Sequence, residues 1–485
     1  MTRLRYLVGL AMLAAACTDN RETPMEPNTA LSQLSGRTRV TTRADDGPGS
    51  FRQAVTDANS DPSIGTIRFD EGLGPIRLLQ PITFSGAQAL VIRGSGTRLD
   101  GSALAPGGSA LVADGGGDLT IEALTVTGAP GNGITIKVPE LATGVFKVRL
   151  REIVVRESGL HGVLINDQAE YFIDPPSTSE AGSAASLLVD VSDSRFERNG
   201  FGLIDSDGLR VNEGGEGNLE ANVRGTRFVD NGADGLELDE RAAGNAEFAL
   251  RHTALVGNGS FTSEDFDDGI DVDEAGDGDL IGRFNHVAVN RNFEQGVDLN
   301  ENGLGNLRVV MADLSAAENA EEGVEFEEDN DVAGGGDIEA ELVRVTTRRN
   351  GGAGGDAGLK LREKGDGNLV ARLVQVVSEG NRLLSGDDPI AGILLREDKG
   401  GDLTADLVQA TARRNSGAGI ELEENEDGNL TGRVRRAIAS QNGGAGASLV
   451  QEPEGTGEAT FAAFTASGNF GGPVFAEGVV VSGAP

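Results

Sequence analysis

Residues 269–292 read "GIDVDEAGDGDLIGRFNHVAVNRN", and the same design returns along much of the chain. The stretch opens on Gly269, places apolar residues one and three positions later, and then turns through a Gly-rich corner. A second alternating run (Leu280, Gly282, Phe284) and a third (Val287, Val289) lead to Asn292. Alternation with a period of two marks a strand with one buried face. The unit is therefore three short strands with no helical period between them.

Gly208, Gly235, Gly269, Gly296, Gly323, Gly358, Gly392, Gly419 and Gly446 open successive copies. Their gaps are 27, 34, 27, 27, 35, 34, 27 and 27, a base period of 27 with insertions of seven or eight. The insertions "SFTSEDF" after Gly259 and "LLSGDDP" after Arg382 fall between the Asn and the next Gly, so they are expected to project from one edge. Each copy reaches an Asn (Asn231, Asn258, Asn292, Asn319, Asn350, Asn381, Asn415, Asn442 and Asn469), and stacking coils in parallel would align these amides in a hydrogen-bonded column. Five residues after each of the first eight Gly stands a Glu: Glu213, Glu240, Glu274, Glu301, Glu328, Glu363, Glu397 and Glu424. These share the parity of the inward apolar positions, so their expected role is to accept backbone N–H groups of the adjacent turn. The opening glycines, Gly296 for example, are expected to adopt a backbone conformation closed to larger residues. Three strands per 27-residue turn favour an all-β parallel β-helix over a propeller or a leucine-rich horseshoe.

Composition agrees. The 485 residues include 72 Gly, 15 Pro, two Tyr and no Trp, little of the aromatic bulk of an ordinary large core. The net charge of -36 disfavours nucleic acid and anionic membrane surfaces as partners. Cations, basic surfaces and neutral or cationic polymers remain. The single cysteine, Cys17, rules out an intramolecular disulfide.

Residues 1–17, "MTRLRYLVGLAMLAAAC", put two Arg before an apolar run too short to cross a bilayer, the build of a secretory signal. Its end, "LAAAC", resembles a bacterial lipoprotein signal. That resemblance implies that 1–16 are removed, that Cys17 is lipidated, and that the protein is exported to the cell envelope, at the outer membrane or cell surface, touching membrane only through its lipid. Residues 17–38 read as a polar tether.

In "DDGPGSFRQAVTDANSDPSIGTIRFD", from Asp45, Ser50 is expected to cap a helix that sets Phe51, Ala54, Val55 and Ala58 on one face. This segment resembles the "GSLRQAI" opening of secreted bacterial right-handed parallel β-helix proteins of the pectin-lyase-like superfamily, with Phe51 where Leu is usual. The resemblance implies a right-handed solenoid over 76–485, closed at its start by a cap over 39–75.

Positions two and four after each Gly are expected to point outward. On four consecutive coils they carry Glu237, Asp239, Asp271, Asp273, Asp298, Glu325 and Glu327, followed by Lys360, Arg362 and Arg396. Two readings stay open: a solvated acidic face that keeps a rod soluble, or a cation site, for which flexible carboxylate oxygens suit calcium. "DVDEAGDGD" has neither EF-hand spacing nor the RTX nonapeptide. His252 and His286 share one repeat position with Asp313, a row that suits a transition metal only with a further ligand.

The superfamily includes polygalacturonases, whose motifs are absent in order here: Asp267 and Asp268 follow His161, and the flanking elements are missing. It also includes pectate lyases, which imply calcium and a basic side chain, for which Arg283 is the candidate. The expected function is a non-catalytic surface rod that binds a polysaccharide or cell-surface component. A calcium-dependent uronate lyase is the alternative.

Overall fold

The computed structural model describes residues 36–167, 182–262, 266–328, 335–384 and 389–483. Cys17, the signal, Tyr171 and nearly all of the tether lie outside them. The described chain is a right-handed parallel β-helix. One coil serves as the pattern: strands Leu236–Glu240, Ala246–Arg251 and Ala254–Val256, with buried Leu236, Leu238, Phe248, Leu250 and Leu255 pointing inward. Two bends of one residue each separate the strands and the corner. They carry positive φ at His252, His286 and Asp313, and again at Asp230, Arg291 and Glu318. The third strand is fused to the second on four coils, so that Leu90–Asp100, Leu119–Thr127, Leu280–Asn290 and Leu307–Ala317 run on as bent strands.

Pairing between coils is parallel throughout the described residues, and apart from shifts at Gly36/Arg37 and Arg93/Thr97 it is in register, as in Leu238 beside Val272 beside Leu299. The first strands of successive coils stack as a sheet of 14 strands. At about 4.8 Å per rung the solenoid is roughly 65 Å long. Its interior is one continuous apolar core from Val40 to Phe464.

Helix Phe51–Ser60 closes the start of this core. Ser50 accepts a hydrogen bond from the Gln53 backbone N–H, and Phe51, Ala54, Val55 and Ala58 are buried. The helix packs on strands Gly36–Val40, Ile64–Phe69 and Ile82–Phe84. Strand pairing already includes residues 36–38, which the sequence reading left in the tether: Thr38, Arg39 and Val40 lie beside Ile67, Arg68 and Phe69.

Two columns hold the bend and the corner. From Asn199 to Asn469 each Asn side chain donates through Nδ2 to the Oδ1 of the next, at 3.0 Å from Asn231 to Asn258 and 3.2 Å from Asn319 to Asn350. The same Oδ1 accepts the backbone N–H of the residue before it in the column. Glu213, Glu240, Glu274, Glu301, Glu328, Glu363, Glu397 and Glu424 are fully buried, and each accepts a turn backbone N–H at 2.7–3.2 Å.

The opening glycines differ from the sequence expectation in their reason. None of the nine has positive φ. A side chain is excluded there because the next coil's Asn amide, joined at all but Gly358 by a backbone carbonyl of that coil, already occupies its space.

Candidate metal centre

Register brings Arg210, Glu237, Asp271, Asp298, Glu325 and Lys360 into one column on six successive coils of the 14-stranded sheet. Asp239, Asp273 and Glu327 stand in the neighbouring column, with Asn300 between the last two. The seven carboxylates expected to point outward are not fully solvated. Glu237, Asp239 and Glu325 are buried, and Asp271, Asp273, Asp298 and Glu327 are half-buried. Although they point away from the apolar core, the corner residues before each Gly close over them: Asp267, Asp268, Glu294 and Gln295 line the same cleft, of about 430 Å³.

Those corner residues form a third column that repeat indexing makes readable and that the sequence reading passed over. It runs His161, Asp207, Asp234, Asp268, Gln295, Glu322, each one residue before its Gly, and all but Gln295 are buried. The backbone N–H of Asp234 donates to Asp207 Oδ1 at 3.0 Å, and that of Asp268 to Asp234 Oδ1 at 2.5 Å. His161 Nδ1 lies 3.1 Å from Asp207 Oδ2.

The two ends of the acidic run hold their own cations. Fully buried Arg210 reaches Glu237 at 2.7 Å, Asp239 at 3.0 Å and Asp205 at 2.5 Å. Lys360 pairs with Glu325 and lies 2.8 Å from Glu327. Against its burial, Lys360 holds Glu327 down at about 2, whereas burial and Glu322 push Glu325 up to about 8.

The middle is different. Ligand oxygens of Asp268, Asp271 and Asp298 lie within 4.8 Å of one another, as do those of Asp234, Glu237 and Asp271. At that distance two charges repel by about 3.5 kcal/mol at an effective dielectric of about 20. Burial first, and then neighbouring carboxylates, push Asp268, Asp271 and Asp298 well above the usual carboxylate range. Asp268 is only 7% exposed, and its Oδ1, with the Oδ1 atoms of Asp271 and Asp298, is buried without a hydrogen-bond partner. Oxygens left in this state are satisfied either by protons or by a cation.

Other candidates are not gathered here. Arg283 lies on the other sheet, exposed and paired with Glu247 at 2.5 Å. The His252 and His286 rings are 4.9 Å apart, and His286 Nε2 is 3.8 Å from Asp313, which is itself held by Arg344. Among the described residues no third ligand converges on that row. Exposed aromatics do border the acidic cleft: Phe266 lines it and lies 6.0 Å from Phe293, while exposed Phe201 pairs with half-buried Phe261 at 6.4 Å along the same corner.

No protein-family model matches the chain, and no curated protein matches it. Among solved structures it is similar to a mutant of the periplasmic alginate epimerase AlgG, at 12% identity over 90% of this chain and 91% of that one, with a TM-score of 0.44. It is also similar to pectate lyase Pel9A (15% identity, 74% and 85% covered, TM-score 0.38) and to the catalytic domain of a GH87 α-1,3-glucanase (14%, 91% and 68%, 0.37). At these identities the likeness is one of fold, and the site has to be argued from its own residues. No helix among the described residues is long and apolar enough to cross a membrane.

Proposed function

We propose that the protein is an exported, non-catalytic β-helix rod that holds calcium in its acidic cleft and binds an envelope polysaccharide. The observation that carries the calcium reading is the buried, unpartnered set of Oδ1 atoms on Asp268, Asp271 and Asp298. Oxygen-only carboxylate donors suit calcium better than a transition metal. Asp271 belongs to both central groups, so one ion would tie two neighbouring coils together and two sharing it would tie three. Asp239, Asp273, Glu325 and Glu327 would then be outer members of the field. Arg210 and Lys360 already neutralise the two ends, which leaves the middle for the ion.

Lipidation at Cys17 would tether the rod at the outer membrane or cell surface. The exposed Phe266, Phe293 and Phe201 support the polymer reading, since exposed ring faces pack against the C–H faces of sugars. The alternative, a calcium-dependent uronate lyase, needs a base beside the ion. Arg283 is on another sheet, and Arg210 and Lys360 are tied to carboxylates.

Calorimetric titration with calcium, run beside thermal melts, tests the cation reading. The wild type is expected to bind and to gain about 2.7 kcal/mol at a hundred times Kd. Asp271→Asn is expected to abolish binding, whereas Asp273→Ala should leave it measurable. Absence of heat and of any melting shift would sink the reading. Unsaturated product released from a polyuronate in calcium, and lost in Asp271→Asn, would replace the rod by the lyase.

A further inference from the structure

A second cleft, of about 1000 Å³, opens at the corner nearer the C-terminal end, and its charge is opposite to that of the whole chain. Register stacks Arg348 beside Glu379 beside Arg413 on three successive coils. The bend residues that follow, Arg349 and Arg414, have positive φ, which turns them away from the core on the first and third of these coils; the middle coil has Gly380. Glu379 receives three guanidinium groups: Arg413 at 2.9 Å, Arg414 at 3.2 Å and Arg348 at 3.4 Å. Arg349 pairs with Glu318, on the coil before. Four guanidiniums therefore share two carboxylates, and all four are substantially exposed, from 42% to 63%.

This arrangement has more N–H donors than its own acceptors use. A guanidinium presents five donors in a planar fork matched to carboxylate or sulfate, and one carboxylate cannot saturate three of them. The floor between the two Arg pairs is short of side chains. Gly380 and Gly352 leave backbone accessible, and Ala353 and Leu384 add apolar surface, which suits a sugar ring laid flat between charged substituents. The pairs stand two rungs, about 10 Å, apart, so an extended polymer with repeated charges is matched better than a single small anion.

We propose that this arginine cleft is a binding site for a polyanionic glycan carrying carboxylate or sulfate groups. It names the polymer class for the rod proposed above, but it needs no calcium. The acidic surface elsewhere repels the same polymer over a Debye length of about 10 Å at 0.1 M salt. Affinity should therefore rise from low to moderate ionic strength before falling.

The test is fluorescence anisotropy on the full chain with labelled oligogalacturonate, dextran sulfate and neutral dextran, each in calcium and in EDTA. One or both of the charged probes are expected to bind in either buffer, and neutral dextran is not. Arg413→Ala with Arg414→Ala should weaken binding at least tenfold with an unchanged melt. Arg413→Lys should weaken it less, by loss of the fork alone, and Asp271→Asn should leave it as in the wild type. Which charged probe binds assigns carboxylate or sulfate. Failure of both to bind, or equal binding by the double Arg variant, overturns the proposal. Binding that disappears in EDTA and in Asp271→Asn but survives the Arg changes also overturns it, and leaves the calcium reading standing. Equal binding of duplex DNA or of anionic vesicles overturns the glycan assignment.

Discussion

A methyl group on Gly296 would stand 2.5 Å from the Asn319 amide nitrogen and 2.6 Å from the Gly323 carbonyl oxygen, both on the next coil. Val would force that amide out of the column in which it bonds Asn292 and Asn350. Gly296→Val is expected to cost about 1–3 kcal/mol by overpacking, and more if the Asn bonds break. Urea unfolding would measure it, and an unchanged midpoint would contradict the close approach. The repeat made this Gly legible, but not its cause. Spacing reports that a side chain is excluded and cannot distinguish backbone conformation from a neighbour one rung away. The acids were legible in the same partial way. Their columns follow from counting, whereas their burial depends on Asp267, Asp268, Glu294 and Gln295 closing the corner. Arg210 occupies the indexed position two of its own coil, and its role as counter-ion appears only once Asp205, Glu237 and Asp239 are seen around it.

The internal Glu column behaves as a single element, and its pH dependence follows from that. One oxygen of each Glu takes a turn N–H. The second oxygen of Glu240, Glu274, Glu363 and Glu397 has no hydrogen-bond partner, and faces the next carboxyl group of the column. A proton between neighbours satisfies both. Accordingly burial, and then adjacent Glu residues, raise these groups from an ordinary 4.5 to about 8 for Glu240, about 9 for Glu274 and about 10 for Glu363. Between 4.5 and those values the unfolded chain releases protons that the folded chain keeps. The column's contribution to stability is therefore fully present below about pH 4.5 and declines as pH rises toward 8–10, by up to about 1.4 kcal/mol per pH unit for each titrating group. The chain contains its own control, since Gln451 ends this column and donates through Nε2 to Glu424 at 3.1 Å without needing a proton. Glu363→Gln is expected to leave stability at pH 5 nearly unchanged and to raise it at pH 9, flattening the melting profile. A profile as steep as the wild type's would argue against a shared proton. The sequence disclosed the column and its backbone acceptance; it gave no sign that neighbouring carboxyls meet, because that depends on rung spacing and side-chain reach.

At the scale of the whole molecule, a parallel solenoid has two open ends, and each exposes unpaired backbone and the cross-section of the core. Here the first rung is covered by Phe51–Ser60, whose Phe51 ring lies 4.9 Å from that of Phe69. This cover was legible because helical periodicity places four apolar residues on one face after a capping Ser. The full extent of what it covers was not legible, since residues 36–38 look like tether until strand Gly36–Val40 pairs. Val55 is 2% exposed at the centre of the contact. Val55→Asp would bury a carboxylate with no partner and lift the helix, while the coils beyond keep their own pairings and core. The expected result is a protein with nearly unchanged strand content that associates through its first rung, seen as higher-mass species in light scattering that grow with concentration. A surface change of the same charge, Thr56→Asp, should remain dispersed. If Val55→Asp is equally dispersed, the helix is an attachment to the rod and its exposed first rung is protected by something other than this cover.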